Sequence, residues 1–339
     1  MTLVARLRQL VPPLLLIVVI GLAGNLVSSS TKTEVVGVLV NMTIVISLYV
    51  FIGNSGIISF GQISFVAIGA FAAGVMTIPA IVKPTLLPEL FPFIADHSVT
   101  SFESLILAMA LGAIFAAIGG VALMRLNGLA AGIATFAVLQ IVHNVLRYWE
   151  KIGPGAKSLA LIPETTGLLA ATLGALFAAV VAFAYQHSRS GRLLRASRED
   201  PIAARALGVN IHRHRLIAFS VSGALAALAG GLLVHQLGSI TTEQVYLQLT
   251  FITLAMLVVG GSNSLWGATV GGALISILNI YLQKAEAGAS LGPLHLNFPN
   301  GMTLLIIGVV MTAILVLRPQ GLTGGRELTL RLPRPRRKP

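Results

Sequence analysis

The chain has no cysteine and few charges: Asp, Glu, Lys and Arg together make up 10% of its 339 residues. Without thiols there can be no disulfide, thiolate metal site or cysteine nucleophile. The scarcity of charge excludes more. Hydrophobic residues account for 55% and the mean hydropathy is +0.89, so a water-soluble domain of this length could not hide its apolar surface. The chain reads as an integral membrane protein. Its apolar runs are continuous rather than alternating, which rules out an outer-membrane barrel and leaves an all-α, polytopic helical bundle in a single membrane-embedded domain.

Several chemical signatures are also missing. The nearest approach to a Walker A loop, KIGPGAKS (Lys151 to Ser158), has Ala156 where the second glycine should stand, so the chain is not expected to bind ATP itself. No Asp or Glu falls in the middle of an apolar run, since Glu34 and Glu103 lie at predicted ends. Carriers driven by protons or sodium usually need such groups, so energy must come from elsewhere or transport must run downhill. No HExxH, carboxylate pair or Ser-His-Asp set is apparent, and neither enzymatic activity nor a cofactor of the chain's own is expected. His212 and His214 alternate with Arg213 and Arg215, whose charge opposes cation binding; no metal site is expected there.

What the chain does have is a series of apolar windows about 20 residues long. They fall near 11–29, 35–53, 57–82, 101–126, 128–149, 167–187, 216–237 and 301–317, with a stretch at 246–283 that is too long for one crossing. GGSNS (Gly260 to Ser264) is a turn signal that divides this stretch, which makes ten expected crossings. The first window follows Arg6 and Arg8 but has a poor cleavage site around Leu22 to Gly24, so it is expected to remain as the first span. Lys and Arg cluster at the N-terminus, in 188–215 and in the tail 318–339, which places all three on the cytoplasmic side by the positive-inside rule. An even number of crossings agrees with both termini being cytoplasmic. The tail reads as a topology anchor beside anionic lipid rather than as a nucleic-acid arm. The loops at 83–100, 150–166 and 284–300 would then face outward. Pro84, Pro88 and Pro92 argue against a regular helix in the first of these.

The segment SRSGRLLRASREDPIAARALGVN (Ser188 to Asn210) interrupts this pattern. An arginine at mid-membrane costs about 2.5 to 3.5 kcal/mol, so the segment must lie in water. It is also far longer than a connection of about 2 to 8 residues requires. Asp200 suits a helix N-cap, Pro201 the first helical position and Gly208 the stop, enclosing about two turns. At 100° per residue, Ala203, Ala204 and Leu207 share a face away from Arg205. So short a helix needs something to pack against, and docking on a cytoplasmic protein is expected.

Along with this loop, SFGQISFVAIGAF (Ser59 to Phe71), GIATFAVLQI (Gly132 to Ile141), GGSNSLWGATVGGAL (Gly260 to Leu274) and LRPQGL (Leu317 to Leu322) resemble the LivM-like permeases of branched-chain amino acid ABC importers. The resemblance implies that 188–215 is a cytoplasmic coupling loop, with Arg198, Glu199, Asp200, Ala203, Ala204, Leu207 and Gly208 at the ATPase-docking surface. It also implies a second homologous permease, two ATP-binding cassette subunits that hold the ATP and Mg, and an extracytoplasmic solute-binding protein. The setting would be a bacterial inner membrane. The chain departs from the family pattern at Ala130 and Ala131, in place of aromatic bulk, and at IGPGAKSL (Ile152 to Leu159). The expected cargo is leucine, isoleucine, valine or a related small polar solute, and these departures leave room for an amide or urea.

For the solute path the candidates are Ser59, Gly61, Gln62, Thr135, Gln140, His143, Gly260 and Gly261. Two readings stand side by side. Polar and small residues in a bundle commonly serve helix-to-helix contacts, whereas helix breaks at GNSG (Gly53 to Gly56) and GGSNS would expose backbone groups to a cavity.

Overall fold

The computed structural model describes residues 3–288, 298–299 and 301–328; most of the basic tail and the centre of the 284–300 loop lie outside the described residues. Fourteen α-helices are seen there: α1 Leu3–Ala23, α2 Ser29–Ser55, α3 Gln62–Thr77, α4 Lys83–Leu86, α5 Pro92–Ala95, α6 Ser101–Leu123, α7 Gly128–Tyr148, α8 Leu168–His187, α9 Arg189–Glu199, α10 Pro201–Ala206, α11 Ile211–Leu237, α12 Leu247–Gly260, α13 Leu265–Glu286 and α14 Met302–Leu317. Among the described residues, seven segments are long and apolar enough to cross a membrane: α2, α6, α7, α8, α11, Glu243–Gly260 containing α12, and α13. Arg8–Ala23 within α1, α3 and α14 are shorter apolar helices. Each expected apolar window coincides with one of these helices, and the long stretch breaks between Gly260 and Leu265 where GGSNS stands.

The third window is only partly helical. Gly56, at φ +72°, ends α2, and α3 begins only at Gln62. Its 16 residues rise about 24 Å, at ~1.5 Å each, which is short of the ~30 Å hydrocarbon core. The intervening non-helical residues include the buried Ile57, Ser59 and Gly61. Such backbone is tolerated at membrane depth only when protein encloses it.

Helix α2 is the centre of the bundle. It is buried almost continuously from Val36 to Ser55, as expected for a helix that is apolar all round, and it packs against α8, α11 and α13. Helix α11 in turn packs against α6 and α3. The α3–α11 approach has no room for a side chain: a Cβ on Gly230 would lie 2.0 Å from the Val66 carbonyl, and one on Gly69 would lie 2.1 Å from that of Ala227. Close backbone packing of this kind supplies dispersion energy where lipid offers no hydrophobic drive. Phe219 meets Phe51 and Phe65 edge-on, with ring centroids 5.1 and 5.3 Å away, a favoured aromatic arrangement.

At the end of the bundle remote from the arginine-rich loop, connecting segments form a cap. Leu159 and Ile240 exchange both backbone hydrogen bonds at 2.8 Å. The buried Lys83 Nζ donates to the carbonyls of Ile94 (2.9 Å) and His97. The prolines of 83–100 do not keep this loop free of helix: Pro84 and Pro92 occupy first-turn positions of α4 and α5, where the missing N–H has no intrahelical partner to lose. Each of these helices is nonetheless a single turn of four residues. His235 bonds Ser104 Oγ (3.0 Å) and the Pro163 carbonyl (3.2 Å), tying α11 to α6 and to this cap.

Candidate functional site

Three groups of polar residues stand out, and the first lies at the arginine-rich end. Ser188 Oγ accepts from Gly191 N (3.1 Å) and starts α9. Asp200 Oδ1 accepts from Ile202 N (2.9 Å) and Ala203 N (3.0 Å) and starts α10. Gly208, at φ +78°, lets the chain turn back toward α11. The two-turn reading of 201–208 is therefore met, but its face needs correction. Ala204 is buried within the chain itself, whereas Ile202 and Leu207 are more than 80% exposed and Ala203 is exposed as well. Ala204 anchors α10, and the outward face is built around Ile202, Ala203 and Leu207. Beside it lies a cleft of about 530 Å³ lined by Arg189, Leu193, Leu207, Val209, Arg213 and Ile217.

Helix α9 adds something that the motif reading did not contain. Gly191, Leu194 and Ser197 are its buried residues, and this three-residue spacing was the available signal. Arg198 turns inward at its end: Nη1 donates to the Gly53 carbonyl (3.2 Å) and to Asn263 Oδ1 (2.9 Å). One side chain thus ties the loop to both helix breaks, GNSG and GGSNS. Glu199, by contrast, is largely exposed and lies 3.7 Å from the Arg198 guanidinium. Arg195 Nη2 donates to the Gln186 carbonyl (2.7 Å), while Gln186 Oε1 accepts from the Tyr49 hydroxyl (2.5 Å).

The GGSNS break is held from behind by the segment after α14. Leu322 N donates to the Val259 carbonyl (2.8 Å) and Thr323 Oγ1 to that of Gly260 (2.8 Å). Glu327 accepts from Leu265 N (2.8 Å) and Trp266 N (3.1 Å), placing a carboxylate on the N-terminus of α13. Burial pushes the Glu327 carboxyl above its ordinary value, opposed by those two backbone bonds and by Arg195. Gly260 itself makes a helix contact, since a Cβ there would lie 2.0 Å from the Gly267 carbonyl. Gly261, at φ +116°, shapes the turn. GGSNS and RPQGL therefore meet in space. Glu327, Asn263, Gln186 and Tyr49 were not legible as partners, because each bond spans dozens of residues.

The second group lies along the broken approach to α3. Gln62 and Ser59 are each 1% exposed, yet both amide atoms of Gln62 and the hydroxyl of Ser59 lack a partner among the described residues. Thr135 Oγ1 accepts from Phe60 N (3.3 Å) and donates to the Gly132 carbonyl (2.8 Å). A Cβ on Gly61 would sit 2.6 Å from the Thr135 carbonyl, so α7 closes tightly over the break. Buried polar atoms left unpaired are costly and call for water or a ligand.

The third group is at the opposite end. His143 is buried and stacks on Tyr246 at 3.8 Å between centroids. Its Nε2 lies 3.5 Å from Glu243 Oε1, which also pairs with Arg147. The Tyr246 hydroxyl donates to Gln140 Oε1. Gln140, His143 and Arg147 share one face of α7 by their spacing, but nothing in the local pattern announced Glu243 and Tyr246.

Comparison with known proteins adds to this geometry. A family model described as branched-chain amino acid transport system / permease component matches residues 35–315. The probable branched-chain amino acid transport permease protein LivH of Methanocaldococcus jannaschii is 32% identical over 139 residues, 40% of this chain and 41% of that protein. The autoinducer 2 import system permease protein LsrC of Enterobacter sp. (strain 638) is 27% identical over 226 residues, 63% of this chain and 62% of that protein. The high-affinity branched-chain amino acid transport system permease protein LivM of Escherichia coli (strain K12) is 32% identical over 132 residues, 39% of this chain and 28% of that protein. In each case the match spans less than two thirds of the relative's length. No solved structure matches the chain significantly.

Proposed function

The chain belongs to the family of branched-chain amino acid transport permease components, and from that premise we propose that it is the membrane-spanning subunit of an ATP-driven importer in a bacterial inner membrane. It would cross ten times, the three shorter apolar helices included, with both termini and the α9–α10 loop in the cytoplasm. A second homologous permease, two ATPase subunits holding ATP and Mg, and an external solute-binding protein would complete the complex. The cargo is a branched-chain amino acid or a related small polar solute, since relatives named for autoinducer 2 import are also similar to this chain.

One observation carries this reading: α10 is capped at Asp200, anchored by Ala204 and presents Ile202 and Leu207 almost fully to the outside. Two large apolar side chains on a helix of six residues call for a groove on a partner, because the helix cannot hold itself in water. Within this reading, Arg198 and Glu199 at the end of α9 carry motion of α10 to the helix breaks rather than form the contact surface. Ser59, Gln62 and Thr135 line the solute path, and Gln140 and His143 lie at its outer mouth. Gly260 and Gly261 shape the wall of that path. A free-standing facilitator would have no use for the exposed face of α10.

The test is co-purification with co-expressed ATPase subunits of an importer of this family. Leu207→Asp is expected to lower recovery of the ATPase at least several-fold and to abolish solute-dependent uptake in reconstituted vesicles, while the permease itself inserts normally. Undiminished recovery and uptake would sink the proposal.

A further inference from the structure

A second cleft of about 250 Å³ opens at the arginine-rich end, between the α6–α7 turn and the start of α11. It is lined by Arg125, Arg205 and Arg215 with His212, Asn127 and Asn210, and among the described residues none of its lining is acidic. Arg215 is held in place: Nη1 donates to the Leu126 carbonyl (3.1 Å) and to Asn127 Oδ1 (2.7 Å). Its Nε is nevertheless buried without a partner among the described residues, and so is Nδ1 of His212. Three guanidinium groups around one small cavity repel each other, and a buried donor left unpaired costs further free energy. Both penalties disappear when an anion with several acceptor oxygens enters, and forked guanidinium donors match phosphate oxygens best.

The surroundings identify the source of that anion. The helices that meet at this turn carry apolar side chains turned outward just beyond the cleft: Ile118 and Val121 on α6, and Leu129 and Ile133 on α7, are each 47 to 81% exposed. A phosphate in the cleft could therefore continue into acyl chains lying along α6 and α7. We propose that this cleft binds the headgroup phosphate of an anionic phospholipid of the leaflet at the arginine-rich end. Arg205 belongs to α10 and Arg125 to the α6–α7 turn, so the bound headgroup pins α10 to the bundle. The inference rests on the groups of the cleft and does not require the importer reading.

The experiment is native mass spectrometry of the purified full chain after exchange into mixed micelles containing phosphatidylglycerol or phosphatidylcholine with the same acyl chains, with inorganic phosphate as a third arm. Retention of phosphatidylglycerol over phosphatidylcholine is expected. The paired substitution Arg125→Gln with Arg205→Gln should lower it about ten-fold or more, since a hydrogen bond to a charged group contributes about 1.5 to 3 kcal/mol. Arg189→Gln with Arg192→Gln removes equal charge outside the cleft and should change retention less than two-fold. Arg125→Lys with Arg205→Lys should restore part of the binding, which separates loss of charge from loss of fold. Equal losses in the two glutamine pairs, or equal retention of phosphatidylcholine, would overturn the proposal. So would inorganic phosphate competing at equal concentration, or glutamine variants that lose ATPase co-purification with lipid retention unchanged.

Discussion

Arg198 connects three segments that are distant in sequence, through charge-assisted bonds to the Gly53 carbonyl and Asn263. Bonds to a charged group contribute about 1.5 to 3 kcal/mol. Arg198→Ala should therefore free the helix breaks from the loop while leaving the core untouched. Reconstituted complexes carrying it are expected to hydrolyse ATP but to take up solute at least five-fold more slowly, as read by paired hydrolysis and uptake assays; unchanged uptake would remove Arg198 from the transmission path. Glu327 gives a second expectation, in pH. Its folded carboxyl holds a proton more tightly than the ordinary value of 4.5, because burial penalises the charged form. As pH rises from that value through the folded one, the unfolded chain has already ionised and the folded chain has not, so this residue's contribution to stability declines. Glu327→Gln is expected to flatten the pH dependence of the thermal midpoint in detergent over that window. A slope equal to that of the parent protein would show that Glu327 does not set it.

Helix α10 is the element whose sequence spoke most clearly, because its start and stop depend on local chemistry: a carboxylate at Asp200, a ring at Pro201 and a left-handed Gly208. Replacing Asp200 with Ala removes the side-chain acceptor of two backbone N–H groups and should cost about 1 kcal/mol of local stability. Faster amide hydrogen exchange across 201–206 is the expected sign, with coupling weakened less than by Leu207→Asp; unaltered exchange would mean that partner contacts, not the cap, hold the helix. The apolar windows were legible for a similar reason, since length and hydropathy are properties of consecutive residues. The outward face of α10 was not. Rotation by helical period groups Ala203 with Ala204, but contact with the rest of the chain decides which one is covered, and that contact is long-range. The same limit hid Glu243 and Tyr246 behind His143, and Glu327 behind GGSNS. Helix α9 was missed because repeated arginine masks the modest signal of Gly191, Leu194 and Ser197.

At the scale of the whole molecule, the bundle is organised around α2 and α11, with the basic loop and both helix breaks gathered at one end and the stitched loops at the other. The absence of native cysteine makes the sidedness directly measurable. Arg192→Cys should react with a membrane-impermeant maleimide only in inside-out vesicles, and Ile81→Cys, at a position 88% exposed near the opposite end, only in intact spheroplasts. The reverse pattern would invert the topology and, with it, the side from which α10 could be driven. The capping of α13 also bears on how the protein is made. The carboxylate that satisfies Leu265 N comes from a residue 62 positions later, beyond another hydrophobic helix. Until residue 327 is made, Leu265 N and Trp266 N lack this acceptor, whereas Gly267 N is served locally by Ser264 Oγ. Glu327 follows α14, so this clasp cannot close until both α13 and α14 have been made. A chain stopped by a nonsense codon just short of Glu327 would keep every apolar helix described here yet lack that closing clasp.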